Sequence, residues 1–162
     1  MIKITQKTLD DLEFGVVLEQ AALRCVTALG KAQMMTTTPS VDIVGVKKAL
    51  LRTNEYAISF SEEKPIPNHG FENVIEELSL LDVENSKIEL VGFQKLLLLV
   101  ETANTIIKFL KKNKDLYPNL FDSTYGQVPI KEIPTEINRV IDKFGDVKDR
   151  ASDNLHIIRK QM

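Results

Sequence analysis

Residues 90–112 read LVGFQKLLLLVETANTIIKFLKK and carry the most regular apolar pattern in the chain. Apolar side chains recur there in alternating steps of three and four residues, at Phe93, Leu96, Val100, Ala103, Ile107 and Leu110. This line is widened into a broad stripe by three more apolar residues, Leu97, Leu99 and Ile106. Such spacing predicts one long helix, buried on more than one side, at the centre of an irregular all-α bundle.

The leucine run inside this helix, residues 96–100, allows two other interpretations. A leucine zipper is disfavoured because the pattern spans barely three heptads and has apolar residues on its flanks. A membrane-spanning helix needs about 20 predominantly apolar residues. The uninterrupted apolar run ends at Glu101, so the sequence predicts no membrane span.

Three more helices are predicted upstream of the central helix. The first covers about residues 8–35 and is expected to break near Gly30. After a loop over residues 36–40, Ser40 is the expected N-cap of a helix over residues 41–61. The side of this helix that we expect to be buried carries Ile43, Val46, Leu50, Ala57 and Ile58.

The remaining segments are shorter. Two prolines and a glycine in residues 64–70 predict a loop, which precedes a short amphipathic helix over residues 71–82. Downstream of the central helix, prolines break residues 116–130 into a helical turn and an irregular connection. Pro134 suits the first turn of a further helix. No alternation is long enough for a sheet, and only a short extended link near residues 146–148 is expected.

The chain closes with residues 142–162, DKFGDVKDRASDNLHIIRKQM. We expect Gly145 to adopt the left-handed conformation that ends the preceding helix, and Ser152 to cap the next one. That terminal helix, from about residue 153, has no stop signal, so we expect it to be truncated. Residues 1–162 are therefore interpreted as a single helical domain, the N-terminal fragment of a larger multidomain protein.

Charge and composition exclude several classes of protein. The 162 residues include 21 Lys and Arg against 23 Asp and Glu, a formal net charge of −2, so no overall positive field attracts nucleic acid. The single cysteine, Cys25, excludes an intramolecular disulfide and a metal site built from several cysteines. The first residues lack the apolar segment of a signal peptide, and we expect a cytoplasmic protein.

No residue pattern predicts catalysis, cofactor binding or a metal site. The one Gly-Lys pair, Gly30-Lys31, is followed by Ala32, so the phosphate-binding loop of an ATPase is missing. The single cysteine and the two histidines form no zinc-binding pattern, and His69 is expected to be an exposed loop residue. Paired carboxylates are adjacent in the sequence, and neighbours on a helix point in different directions. We interpret them as solvated faces.

Two sets of residues near the C-terminus are candidate binding groups. The first set is cationic and is interspersed with aspartates: Lys143, Lys148, Arg150, Arg159 and Lys160. One interpretation of this set is local contact with nucleic acid. Local ion pairs are the competing interpretation, which the mixture of signs favours. An interface with a protein partner or a second copy is the expected role of the apolar positions of the terminal helix, Leu155, Ile158 and Met162.

The C-terminal motif resembles that of the second bacterial type of MutS protein. In that family a glycine turn, a spaced aspartate, an Ala-Ser pair and a Leu-x-x-Ile-Arg helix precede the long lever arms. The corresponding stretch here is Phe144-Gly145-Asp146-Val147-Lys148-Asp149-Arg150-Ala151-Ser152, followed by Leu155 and Ile158-Arg159. The chain departs from the family at Asp153 and Asn154, where Pro and Glu are frequent, so the helix start is retained without its capping box.

Shorter pieces near the N-terminus resemble the same family. They are Leu12-Glu13-Phe14, Val17-Leu18, Gly30-Lys31, Pro39-Ser40 and Thr53-x-Glu55. Each piece is weak alone, but their order is specific and covers nearly the whole chain.

The resemblance implies an all-α MutS-like core and lever segment that precedes lever and clamp helices and a P-loop ATPase domain. Such proteins lack the mismatch-reading N-terminal domain of true mismatch-repair MutS. They are associated with branched DNA, with suppression of recombination and, in some bacteria, with rescue of collided ribosomes; many carry a C-terminal nuclease module. ATP and Mg²⁺ are thus the cofactors implied for the longer protein, and none is implied for this chain.

The resemblance also implies the partners. They are the remainder of the same polypeptide, branched or duplex DNA and the ribosome. A second copy of the protein is a partner that the apolar positions of the terminal helix predict, and the length of the apolar runs predicts no membrane. We therefore expect a non-catalytic segment that couples the nucleotide state of a MutS-like ATPase to a DNA clamp, in DNA repair or suppression of recombination. The alternatives are a self-contained helical interaction or dimerisation module and a part of a ribosome-rescue factor. An enzyme in its own right is a distant third.

Overall fold

The structure is a computed structural model that describes residues 4–161. Within that range it contains nine α-helices and no β-sheet, so the predicted all-α class is confirmed. In chain order the helices are α1 (Gln6–Asp11), α2 (Phe14–Ala22), α3 (Ala28–Met35), α4 (Ile43–Ser59), α5 (Ile75–Leu80), α6 (Leu90–Lys112), α7 (Pro118–Ser123), α8 (Glu132–Val140) and α9 (Asp153–Gln161).

The chain forms two compact units, and each is described by itself. The first comprises Met1–Gly70 and Ile106–Gln127, and the second comprises Phe71–Thr105 and Val128–Met162. The buried residues of the first unit include Ala22, Ser59, Leu110 and Tyr117. Those of the second include Val74, Val100, Ile137 and Ile141.

Helix α6 has the bounds that its apolar pattern predicts, and it contributes to both units. Val100 and Leu110 are buried, and the other side chains of the predicted stripe are half-buried. Leu98 is 48% exposed and Val91 60% exposed. The helix is therefore covered along its stripe but open on the side of these two residues.

By length and composition alone, α6 is the one helix among the described residues that could cross a membrane, with a mean hydropathy of 1.4 over its most apolar window. The central helix of a bundle meets the same criteria. Its polar side chains contact protein: Lys95 pairs with Glu77 at 3.1 Å, and Asn104 exchanges hydrogen bonds with the backbone of Ile130 at 2.6 and 2.7 Å. These are the contacts of a helix packed against protein.

The helix predicted over residues 8–35 is interrupted at different residues than expected. The chain is interrupted at Glu13, whose φ of 51° is left-handed, and again between α2 and α3, whereas Gly30 lies inside α3. The second break occurs because Thr27 starts a new helix: its Oγ1 accepts a hydrogen bond from the Gly30 backbone at 3.0 Å. The break therefore depends on the Thr27 N-cap, and the predicted break at Gly30 is wrong.

Helix α4 also starts from a different cap than predicted. Asp42, not Ser40, is the N-cap, because its Oδ1 accepts a hydrogen bond from the Val44 backbone at 3.0 Å. Ser40 acts one step earlier, since its Oγ accepts from the Asp42 backbone at 3.1 Å. The predicted loop before this helix is confirmed.

The side of α4 predicted to be buried is exposed. We call this set the outer face of α4: Ile43, Val46, Leu50, Ala57 and Ile58. The opposite side packs within the first unit, where Ser59 is buried and Arg52, Glu55 and Tyr56 are half-buried. The amphipathic pattern identified the apolar side of α4 correctly. The side that packs within the first unit is the opposite one, and it is held by polar contacts.

Those polar contacts join α4 to the start of α7. The Glu55 carboxylate accepts hydrogen bonds from the backbone N–H groups of Asn119 and Leu120 at 2.9 and 2.8 Å, and from the Asn119 side chain at 2.5 Å. Arg52 Nε donates to the Asn119 carbonyl at 3.3 Å. A carboxylate at a helix start satisfies backbone donors that lack intrahelical partners. Glu55 therefore fixes α7 against α4.

Residues 64–70 form the predicted loop, and two aromatic groups hold it. Tyr117, 1% exposed, donates its hydroxyl to the Lys64 carbonyl at 2.8 Å, and burial raises the pKa of this phenol. The prediction of an exposed His69 is wrong, because the ring is half-buried with Nε2 at 3.1 Å from the Tyr56 hydroxyl. Its Nδ1 donates to the Pro67 carbonyl at 3.1 Å.

In the second unit, α5 is shorter than the predicted helix over residues 71–82. It begins at Ile75 because the Asn73 side chain accepts a hydrogen bond from the Ile75 backbone at 3.1 Å and holds the preceding residues in a turn. Helix α8 carries Pro134 in its first turn, as predicted, and buries Ile137.

We expect Glu55→Ala to lower the free energy of unfolding by roughly 1–3 kcal/mol, because the backbone donors of Asn119 and Leu120 lose a charged acceptor. Urea unfolding followed by circular dichroism measures this change. The control is Glu63→Ala, an exposed carboxylate, for which a change within about 0.5 kcal/mol is expected. Equal stability of the two variants contradicts the role assigned to Glu55.

Candidate interface at the C-terminal turn and helix

The C-terminal segment begins where α8 ends, at Val140. Ile141 and Val147 form an isolated antiparallel bridge, which agrees with the short extended link expected near residues 146–148. The Lys148 backbone donates to the Val140 carbonyl at 2.9 Å, and the Asp142 backbone donates to the Asp146 carbonyl at 2.9 Å. These bonds close residues 141–147 into a tight turn.

The side chain of Asp142 holds this turn from inside. Its Oδ1 accepts hydrogen bonds from the backbone N–H of Phe144 at 2.8 Å and of Asp146 at 3.0 Å. These bonds, that of Asp146 first and that of Phe144 second, lower the pKa of the Asp142 carboxyl below its ordinary value of 3.8, because they favour the charged form. The sequence signal for this role was an aspartate followed by a glycine three residues later.

Gly145 adopts the predicted left-handed conformation, with φ of +91°. It does not end α8, however, because that helix stops at Val140 and Gly145 belongs to the turn that follows. The Gln94 side chain of α6 lies against the glycine, and a Cβ there would approach Gln94 Nε2 to 1.6 Å. The positive φ is what favours glycine here, because the exposed Gln94 side chain can move away from an added Cβ.

The predicted cap of the terminal helix is confirmed. Ser152 Oγ accepts a hydrogen bond from the Leu155 backbone at 3.3 Å, and α9 covers Asp153–Gln161. Met162 lies outside the described residues.

Three of the five candidate cations make local contacts. The Arg159 guanidinium donates to the Val147 carbonyl at 3.1 Å and forms an ion pair with Asp149. Lys148 Nζ donates to the Asn138 carbonyl. Lys143 Nζ lies 4.9 Å from the centroid of the Phe144 ring. Arg159 thus ties α9 back to the link that precedes it.

The other two cations, Arg150 and Lys160, are exposed and form no ion pair within residues 4–161. All five cations are exposed, so the structure separates the set only into three that make local contacts and two that form no ion pair within residues 4–161. Contact of this set with nucleic acid stays a prediction.

The apolar interface candidates differ in exposure. Leu155 is half-buried, whereas Ile158 is 54% exposed. Ile157, which the sequence analysis did not include, is also 54% exposed. Ile157 and Ile158 are therefore the apolar side chains that α9 offers to a partner.

The described residues offer little for catalysis. Within residues 4–161, no three His, Cys, Asp or Glu side chains are close enough to hold a metal ion. Cys25 is half-buried, and its thiol contacts the Ala21 carbonyl at 3.7 Å. The carboxylate with a lowered pKa in this segment, Asp142, is engaged by its own turn. The arrangement is suited to anchoring a helix.

Comparison with known proteins identifies relatives of nearly the whole chain. It is 28% identical over 167 residues to "Endonuclease MutS2" of Halothermothrix orenii, covering 97% of this chain and 21% of that protein. It is 29% identical over 163 residues to "Endonuclease MutS2" of Lactobacillus helveticus, covering 98% and 20%. For "Putative endonuclease MutS2" of Bacillus subtilis the identity is 26% over 159 residues, covering 97% and 20%.

The chain spans about a fifth of the length of these relatives. No protein-family model matches the sequence, and no solved structure gives a significant match. The resemblance to the second bacterial type of MutS protein is confirmed, and the chain is similar to one part of such a protein.

The depressed pKa of Asp142 predicts a contribution to stability that depends on pH. A carboxylate with a folded pKa below its unfolded value stabilises the fold above the unfolded value, near 3.8, and this contribution is lost as the pH falls through the folded pKa. We expect Asp142→Asn to unfold more easily than wild type at pH 7, with the difference shrinking below about pH 4.

Urea unfolding at several pH values, with a carbon-13 titration of the Asp142 carboxyl, measures this dependence. Asp146→Asn is the matched control, because it removes a charge from the same turn but keeps the backbone donor to Asp142. A titration midpoint at or above 3.8 contradicts the assignment.

Proposed function

We propose that this chain is the non-catalytic, N-terminal core and lever segment of a MutS2-like, DNA-binding ATPase that acts in DNA repair or in suppression of recombination. The observation that carries the proposal is the extent of the similarity. It covers 97% or more of the chain, yet only about a fifth of each relative. A segment of this kind contributes structure to a longer protein, and the chemistry belongs to other parts.

The relatives are named as endonucleases. We place the nuclease activity, the ATP and Mg²⁺ sites and the main DNA contacts in parts of the longer protein other than residues 1–162. The sequence supports this placement because it has no phosphate-binding loop.

The contacts that hold the start of α9 support a role in transmitting motion. Ser152 caps the helix, and Arg159 ties its second turn to Val147 and Asp149. The turn before it is held by Asp142 and rests on α6 through the contact of Gly145 with Gln94. A helix fixed at its base in this way can carry a change of nucleotide state toward a DNA clamp as a rigid rotation.

The reading frame of the gene tests the proposal directly. We expect it to continue beyond Met162 into a long helical segment and then a Gly-x-x-x-x-Gly-Lys-Ser/Thr motif. A gene without these features contradicts the proposed function.

Assays on the chain alone test its non-catalytic character. We expect no ATP hydrolysis above buffer, and a dissociation constant for duplex DNA weaker than about 1 µM at physiological salt, because the formal net charge of the chain is −2. Fluorescence anisotropy with labelled duplex and branched DNA measures the second quantity. Submicromolar binding that persists at high salt contradicts the prediction.

The exposed Ile157 and Ile158 favour a second candidate, a self-contained interaction or dimerisation module. That function predicts a dimer in light scattering, converted to a monomer by Ile158→Glu. Val128→Glu is the control, because Val128 is also exposed but lies outside α9. We expect the same monomer mass for wild type and both variants, and a dimer that only Ile158→Glu dissociates would support the module.

A further inference from the structure

The outer face of α4 is an amphipathic face without a partner among the described residues. Ile43 is 69% exposed, Leu50 63%, Ile58 45% and Val46 38%. These apolar residues share one side of the helix, because residues three and four apart in sequence lie on the same side. A group of exposed apolar side chains on one side of a helix marks an interaction site more often than scattered single residues do.

This helix cannot bury its outer face by turning over within its own unit. Its other side is fixed by the bonds of Glu55 and Arg52 to α7 and by the buried Ser59. Rotation that brings Leu50 inward would leave the Glu55 carboxylate and the α7 backbone donors without partners, which is costly. An element from outside this unit must cover the face.

A groove beside the outer face suits a helix. It has a volume of about 320 Å³ and lies between α4 and the preceding loop. Gly45 and Ala49 form part of its wall, together with Thr37 and Thr38 of the loop. Short side chains at these positions let another backbone approach closely.

The total accessible surface indicates that much covering material is missing. The chain exposes 12812 Å². Two separate monomers, each of half its mass of 18.3 kDa, would together expose roughly 9,800 Å². The excess exceeds what a division into two units explains, so the chain leaves surface open that further protein can cover.

The charge on the outer face of α4 indicates the chemistry of the element that covers it. Lys47 lies between Ile43 and Leu50, and Asn54 between Leu50 and Ala57, so both polar side chains sit within the face. An occupant that is apolar opposite Leu50 and acidic opposite Lys47 satisfies both features. A second copy of α4 offers no free carboxylate, because its one acidic residue, Glu55, faces α7.

The size of the face also favours an attached helix over a separate molecule. A stable interface between proteins uses about 20–30 residues on each side, several times the size of this face. A segment of the same polypeptide binds through a much smaller surface, because the connection gives it an effective concentration in the millimolar range.

We propose that the outer face of α4 is the docking site for an amphipathic helix from the remaining four-fifths of the same polypeptide, with a carboxylate opposite Lys47. This inference rests on the proposed function, since it requires a longer protein. It adds the partner and its chemistry to a surface that the sequence alone assigned to the core.

Amide hydrogen exchange of α4 in the 162-residue chain and in the full-length protein tests the proposal. We expect protection of residues 43–58 to rise at least about tenfold in the full-length protein. Leu50→Glu should abolish that rise, whereas Leu50→Met, which keeps the face apolar, should retain it. In the 162-residue chain, Leu50→Glu should leave the unfolding midpoint unchanged because the side chain is already exposed.

Two adjacent lysines provide a matched pair for the charge. Lys47 lies on the outer face, whereas Lys48 is one position further round the helix and lies off it. In the full-length protein, Lys47→Glu should reduce the protection several-fold and Lys48→Glu should leave it unchanged. Equal effects of the two substitutions contradict an acidic occupant.

Other outcomes separate this inference from the proposed function. A full-length protein with the ATPase motif but the same exchange in α4 overturns the docking site and leaves the proposed function intact. A longer protein that protects α4 but lacks the ATPase motif overturns the proposed function and leaves the docking site intact. Concentration-dependent dimerisation of the 162-residue chain, lost in Leu50→Glu, assigns the face to a second copy and overturns the inference, as does a gene that ends at Met162.

Discussion

Burial of the apolar stripe of α6 is the constraint on which the rest of the structure depends. The helix runs without interruption from residue 90 to 112, and each compact unit takes one part of it. Val100 is buried in one unit and Leu110 in the other. The helix therefore contributes a buried side chain to the core of each unit, and its stripe is the longest apolar pattern that the fold has to cover.

Polar contacts decide how the shorter helices attach. Glu55 links α4 to α7, Lys95 links α6 to Glu77, and Asn104 bonds the backbone of Ile130. Contacts of this type satisfy groups that would otherwise be left unpaired, so they fix orientation more strictly than apolar packing does. They also explain why the apolar side of α4 faces outward.

The C-terminal segment combines a stiff base with an exposed end. Asp142, Gly145 and Ser152 each satisfy a local backbone requirement, and Arg159 adds a contact across the turn. Ile157 and Ile158 remain exposed on the helix that follows. With the outer face of α4, they are among the exposed apolar side chains that the proposed place in a longer protein would cover.

The sequence by itself determined the all-α class, the bounds of α6, the cap at Ser152 and the left-handed Gly145, because these depend on apolar period or on local backbone chemistry. It also determined which side of α4 is apolar. Only the tertiary structure decided which side of α4 is packed, because the partners of Glu55 lie more than sixty residues away in the chain. A pattern within one helix carries no information about such distant backbone donors.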